Sequence, residues 1–218
     1  MSKILYIDEE TLEIENFEDY IEKFDVNQIF ELLTMKPLPH IDDTIDEIFK
    51  INPDAIVSDY LINENIGELG YNVNYNGVDL VEKFLKIRPK FPCFVLTAKD
   101  GDAVKVIHDV NLIYGKNLMI SDQEKNDQNA KFTDRLLQQV EHYKHLLEKS
   151  SKEFDRLIEL KNKGEINSEE EEILNELDEF LEKSIDSRVK TPKELMEFSN
   201  MQKLDELLDQ VDLVLKKL

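Results

Sequence analysis

A chain of 218 residues, 41% hydrophobic and 34% charged, can bury an ordinary core and still carry much exposed helix, while 6 glycines and 6 prolines are too few for long flexible linkers. The formal net charge is −21, and acid exceeds base both before and after residue 130, so no basic patch is at hand to displace the counterions of a phosphate backbone; nucleic acid and anionic membranes are excluded as expected partners. No apolar run approaches the roughly 18 residues of a membrane span, and the lone cysteine, Cys93, in the apolar run FPCFVL, fits a buried thiol in a reducing compartment, so a soluble cytoplasmic protein is expected.

Lys3 to Ile7 reads as a short strand that ends in Asp8-Glu9-Glu10. Residues 11–24 place Leu12, Ile14, Phe17, Tyr20, Ile21 and Phe24 at helical spacing, and Val26 to Leu33 reads as a second strand. After Pro37 and Pro39, a helix marked by Ile41, Ile45, Ile48 and Phe49 is stopped by Asn52-Pro53. Ala55 to Ser58 is a third strand, closed by Asp59. The polar stretch 63–77, rich in Asn, Gly and Tyr, is expected as a long loop or hairpin. Val78 to Ile87 is helical, Phe94 to Leu96 is a strand closing on Thr97, residues 102–109 leave room for a short helix, and Leu112 to Tyr114 is a fifth strand followed by Gly115-Lys116.

This alternation predicts an α/β fold, a doubly wound five-stranded parallel sheet with helices on both faces. Ligands of such sheets bind at the carboxyl ends of the strands. Asp8 and Glu9, Asp59, Thr97 and Lys116 all stand there, so three acids, a hydroxyl and an ammonium are expected at one edge. Clustered carboxylates suit a hard divalent cation such as Mg2+. A carboxylate beside such a cation can attack a phosphoryl group, and a lysine and a hydroxyl can take up the phosphoryl oxygens.

The second half is helical. Leu136, Val140, Tyr143, Leu147, Phe154 and Ile158 suit one long amphipathic helix over 130–163, ended by Gly164. Ser168 with Glu171 reads as the capping box of a further helix, striped by Ile173, Leu174, Leu177, Leu181 and Ile185. Thr191-Pro192 opens a last helix whose Met201, Leu204, Leu208, Val211, Leu215 and Leu218 keep the register of a coiled-coil seam. An antiparallel hairpin or bundle is expected, with homodimerisation as one way to bury the seam.

The segments KILYIDEE, PDAIVSDYL, FVLTAKD and LIYGKN, in this order and strand context, resemble the receiver domain of bacterial response regulators over roughly residues 1–125. The division expected is a receiver at 1–125 and an α-helical module at 130–218. The resemblance implies that Asp59 is the phospho-acceptor, charged by a histidine kinase or a phosphotransfer protein. It implies that Glu9, Asp59 and the backbone carbonyl of Leu61 hold Mg2+, with Asp8 acting mainly through water. Thr97 and Lys116 would contact the phosphoryl group, Thr97 moving on activation. The chain departs from the family pattern in having Asn117 where a proline usually follows the lysine, Ile113 where an aromatic residue usually stands with Tyr114 next door, a longer segment from Asn63 to Asn76, and a short span between Thr97 and Lys116.

The expected function is that of a phosphorylated signalling protein rather than an enzyme, with at most slow self-dephosphorylation, whose helices act on a downstream protein partner; acting as a phosphate sink is a variant. The alternative is a constitutive adaptor that uses the receiver as a scaffold without phosphorylation. A third reading, phosphohistidine chemistry at His145, lacks the lysine and glycine such a motif wants, since Glu148 and Lys149 stand in their places.

Overall fold

The computed structural model describes residues 1–25, 27–64, 66–98, 109–117, 119 and 131–184. Five strands form one wholly parallel sheet: β1 (Ser2–Ile7), β2 (Phe30–Met35), β3 (Ala55–Asp59), β4 (Cys93–Thr97) and β5 (Ile113–Gly115), in spatial order β2-β1-β3-β4-β5. The register sets Ile7 beside Ser58, Asp59 beside Leu96 and Thr97 beside Gly115. A central strand covered on both faces has no polar side to show, which is why β3 is a continuous run with every residue buried. Its two polar members, Ser58 and Asp59, come last, where the strand reaches the edge. The architecture is the doubly wound parallel sheet expected from the sequence, with helices following it.

Alternation along each strand sorts the core into two layers. On one face Ile4, Tyr6, Ala55, Val57, Phe94 and Leu96 meet α1 (Thr11–Phe24) through Phe17, Tyr20 and Ile21, and Tyr6 stacks on Phe17 at 4.2 Å. On the other, Leu5, Ile7, Ile56 and Val95 are equally buried, and α2 (Ile41–Ile51) and α3 (Gly77–Ile87) bring in Ile45, Ile48, Phe49, Val81 and Phe84. Phe49 and Phe84 stack at 5.1 Å. Asn52 ends α2 in the left-handed conformation, and a reciprocal Asn76–Asp79 capping box starts α3.

One helix cannot cover five strands, and the remaining place on the first face is filled by α4 (Phe132–Lys163). Its Phe132, Leu136 and Val140 belong to the same core as Ile4, Phe17 and Phe94. The Phe132 N–H donates to the Tyr20 hydroxyl at 3.2 Å. The helix expected to open a separate module thus supplies part of the sheet's own core, so a boundary at 125–130 parts the sheet from its cover. The second half of α4 packs against α5 (Ser168–Ser184), with Leu157 and Leu174 buried, and Gly164 at φ +71° caps α4. The capping box of α5 stands one residue earlier than expected. Asn167 Oδ1 accepts from Glu170 N, and Glu170 Oε2 accepts from Asn167 N.

β2 begins at Phe30 rather than Val26 because the Asp25 carboxylate accepts from both Ile29 N and Phe30 N at 2.8 Å, holding a turn there, with Gln28 at φ +51°. The stretch 63–77 is no hairpin. It holds one helical turn, Ile66–Leu69, and is tied down by tyrosines: the Tyr75 hydroxyl meets Thr44 Oγ1 at 2.6 Å and donates to the Leu38 carbonyl at 2.7 Å, and Tyr71 donates to the Pro37 carbonyl at 2.8 Å. The short helix expected at 102–109 and the coiled-coil register from Met201 to Leu218 lie outside the described residues.

Leu136 is fully buried against the sheet. Leu136→Ala should therefore lower the stability of residues 1–184 by about 3 kcal/mol in urea unfolding, the cost of an uncollapsed core cavity; a loss below about 1 kcal/mol would mean that α4 is no part of this core.

Candidate functional site at the carboxyl edge of the sheet

A parallel sheet delivers the carboxyl ends of all its strands to one edge, so residues far apart in sequence meet there. Asp8 and Glu9 follow β1, Asp59 and Thr97 end β3 and β4, and Lys116 follows β5. All five line one cavity of about 720 Å³, together with Leu61, Glu10, Glu13 and Glu64. The backbone ladder carries the strands into the site: Tyr60 N donates to the Leu96 carbonyl and Lys116 N to the Thr97 carbonyl, both at 2.8 Å.

Asp59 is held on every side. Its Oδ1 pairs with Lys116 Nζ at 2.6 Å, its Oδ2 accepts from Leu61 N at 2.7 Å, and its backbone carbonyl accepts from Ser58 Oγ at 2.9 Å. Lys116 Nζ also pairs with Glu13 Oε2 at 2.6 Å and approaches Asp8 Oδ2 at 3.6 Å. Asp8 in turn accepts from the Tyr6 hydroxyl at 2.6 Å and from Glu10 N at 3.0 Å. Glu9 is 3% exposed, and its Oε2 is buried without a hydrogen-bond partner. Among the described residues no group of three His, Cys, Asp or Glu side chains stands in a metal-holding arrangement; the Lys116 ammonium lies against the carboxylates.

The electrostatics follow from packing these acids out of water. Burial and the charge of Asp59 push Asp8 up to about 6, against the pull of the Tyr6 hydroxyl, the Glu10 N–H and Lys116. Burial, reinforced by Asp8 and Asp59, pushes Glu9 up to about 7, although a backbone N–H pulls it the other way. Burial also works against the charge of Lys116, but Asp59, Glu13 and Asp8 outweigh it and raise its pKa. The ammonium therefore stays charged wherever the acids titrate. Tyr6 is raised by burial and by Asp8, so its hydroxyl remains a donor.

Asp8, Glu9, Asp59, Leu61, Thr97 and Lys116 all lie at this edge. Three others belong with them. Tyr6 stands two residues before Asp8 on the same strand face, and it reads from the sequence as plain core. Glu13 shares a stripe of α1 with Phe17, Tyr20 and Phe24, spaced as one helix face; Phe17 and Tyr20 lie on the sheet, and the first member of the stripe reaches the site. Gly77 starts α3 directly against the end of β3. Its N–H donates to the Tyr60 carbonyl at 2.9 Å, and a Cβ there would collide with the Asp59 carbonyl oxygen. Asn76-Gly77 at a helix start is the one sequence trace of that contact. Tyr114 does not stand in for Ile113: it packs under α4 at 5.6 Å from Phe132, and neighbouring strand residues face opposite ways. No cis peptide bond occurs among the described residues. His142 and His145 are exposed on α4, away from the cavity.

No family model matches the chain, and no curated relative is found. Among solved structures it is similar to the anti-anti-sigma factor PhyR from Bartonella quintana, at 14% identity and a TM-score of 0.44 over 69% of this chain and 51% of that one. The chain spans about half the length of that protein. It is also similar to RcsB from Salmonella enterica serovar Typhimurium, solved bound to promoter rprA in the presence of phosphomimetic BeF3-, at 15% identity and a TM-score of 0.42 over 90% of this chain and 96% of that one. The fold itself follows from the strand order and the two covered faces, independently of either likeness. Among the described residues no helix is long and apolar enough to cross a membrane.

Asp8 and Glu9 hold protons in the folded state that the unfolded chain has already released, so unfolding releases protons and stability falls as pH rises from about 4 to about 7. Melting in metal-free buffer should be lower at pH 8 than at pH 5.5, and Glu9→Gln should flatten the slope; an equal slope in that variant would remove Glu9 as a cause. Gly77→Ala should cost about 2 kcal/mol or more, because the added Cβ meets backbone that cannot yield, and chemical unfolding measures it.

Proposed function

We propose that this protein is a response regulator of a two-component phosphorelay that accepts a phosphoryl group on Asp59 and signals through protein–protein contacts of its helices. The observation that carries the reading is the Asp59 carboxylate, gripped by Lys116 Nζ at 2.6 Å and Leu61 N at 2.7 Å beside the buried acids Asp8 and Glu9. The donor would be a phosphohistidine on a histidine kinase or phosphotransfer protein. An Asp59 oxygen forms the new bond to phosphorus, the P–N bond to the histidine breaks, and the imidazole leaves with the electron pair. In this reading Lys116 would neutralise a phosphoryl oxygen, the Thr97 hydroxyl would hydrogen-bond another, and the Leu61 N–H would hold the acceptor carboxylate for attack.

The donor set suits Mg2+. Asp8, Glu9, Asp59 and the Leu61 carbonyl offer oxygen only, and the orphaned Glu9 Oε2 is a buried carboxyl oxygen with no hydrogen-bond partner, which a cation would draw into its charged form. When bound, Mg2+ would supply charge neutralisation for the transferring phosphoryl oxygens. Glu9 and Asp59 would ligate it directly, and Asp8, already engaged by Tyr6 and Glu10 N, through water. The strongly acidic surface leaves protein as the fitting class of output partner, and a phosphate sink, in which Asp59 only drains a kinase, is the same chemistry without an output.

Incubation with acetyl phosphate and Mg2+ should add one phosphoryl group by intact mass to the wild type and none to Asp59→Asn. Labelling that persists in the variant would remove Asp59 as the acceptor. If neither acetyl phosphate nor beryllofluoride engages the wild type, the phosphorylation-independent adaptor replaces this reading.

A further inference from the structure

We infer that Glu13 is a positioning residue that competes with the phosphoryl group for Lys116 and so disfavours the phosphorylated state of Asp59; this rests on the phospho-acceptor reading above. Lys116 has three N–H bonds to give. Two are taken by Asp59 Oδ1 and Glu13 Oε2, each at 2.6 Å, and Asp8 Oδ2 stands nearest the third at 3.6 Å. Among the described residues lining the cavity Lys116 is the one cation, facing seven acids, Asp8, Glu9, Glu10, Glu13, Asp19, Asp59 and Glu64. Glu13 therefore neutralises no surplus of positive charge. It adds a fourth carboxylate where Asp8, Glu9 and Asp59 already outnumber the base.

Glu13 is also held in place. Its Oε1 accepts from Asn16 Nδ2 at 3.3 Å while Oε2 holds the lysine, and the glutamate and lysine side chains are 28% and 17% exposed, so solvent screens their interaction only in part. A phosphoryl group on Asp59 replaces the single charge of the carboxylate with nearly two on the phosphoryl oxygens, a gain of about one, and needs the same ammonium. Lys116 must turn from Glu13 toward the phosphoryl oxygens, and Glu13 is left close to a dianion. Both effects raise the free energy of the phosphorylated form relative to the resting one. Asp59 can still be charged, but its occupancy at a given donor level is lower than the rest of the site would allow.

The test is beryllofluoride affinity with Mg2+ in the full chain, read by calorimetry, together with the phosphoryl occupancy reached at fixed acetyl phosphate. Glu13→Gln removes the charge and keeps the shape, and it should bind beryllofluoride about tenfold more tightly and reach higher occupancy. Glu13→Asp keeps the charge and should stay nearer the wild type than Glu13→Gln does. A role confined to folding would move the melting temperature of both variants and leave the affinities in step. Equal or weaker binding by Glu13→Gln, with the wild type binding normally, overturns the inference alone. A wild type that neither binds beryllofluoride nor takes a phosphoryl group overturns the phospho-acceptor reading and the inference with it.

Discussion

Lys116 is the contact on which the site turns. A single ammonium, 17% exposed, is held 2.6 Å from Asp59 and 2.6 Å from Glu13, and it reaches toward Asp8. Without it, buried carboxylates would crowd one another at the edge of a sheet whose interior offers them nothing. Burial, reinforced by the neighbouring carboxylates, already raises the pKa values of Asp8 and Glu9. Such a site gains from anything that brings positive charge and loses from anything that brings more negative charge unless a cation comes too. The balance of charge at this edge therefore depends on each carboxylate around the lysine.

The fold serves this contact by bringing distant stretches to one edge. Asp8 and Asp59 are 51 residues apart and Lys116 lies 57 further on, yet the parallel register places the ends of β1, β3, β4 and β5 together. The end of β3 is closely backed by Gly77, which allows α3 to start against the Asp59 carbonyl. The loop between them is anchored by Tyr71 and Tyr75 to the segment before α2 and to Thr44 within it. On the other face, rings pack in series from Tyr6 through Phe17 to Phe132 and on to Tyr114, so the strand that presents Asp8 and the first turn of α4 share one rigid aromatic core.

The strands and their polar ends were legible because the apolar runs lead into polar residues, Asp8, Asp59, Thr97 and Lys116. Strand and helix periods separate the elements cleanly, and a parallel sheet leaves one place for such endings to go. What escaped notice has physical reasons. Tyr6 looks like core because its ring is core, and only its hydroxyl, reaching Asp8 at 2.6 Å, is part of the site. Glu13 is one acid among many on an acidic chain. The start of β2 depends on the Asp25 side chain capping its own turn, which strand propensity does not reveal.

Local sequence alone determined the alternation of strands and helices, the burial of β3 and the four strand-end residues, since these rest on periodicity and on the chemistry of single side chains. Only the tertiary structure decided that α4 belongs to the core of the sheet: an amphipathic stripe says that a face is buried but not what buries it, and here the uncovered ground beside α1 takes Phe132, Leu136 and Val140. Only the tertiary structure, too, brought Glu13 to Lys116 across 103 positions. A helix stripe runs on past the sheet it covers, and which side chain overhangs the edge is settled by where the packed residues below it come to rest.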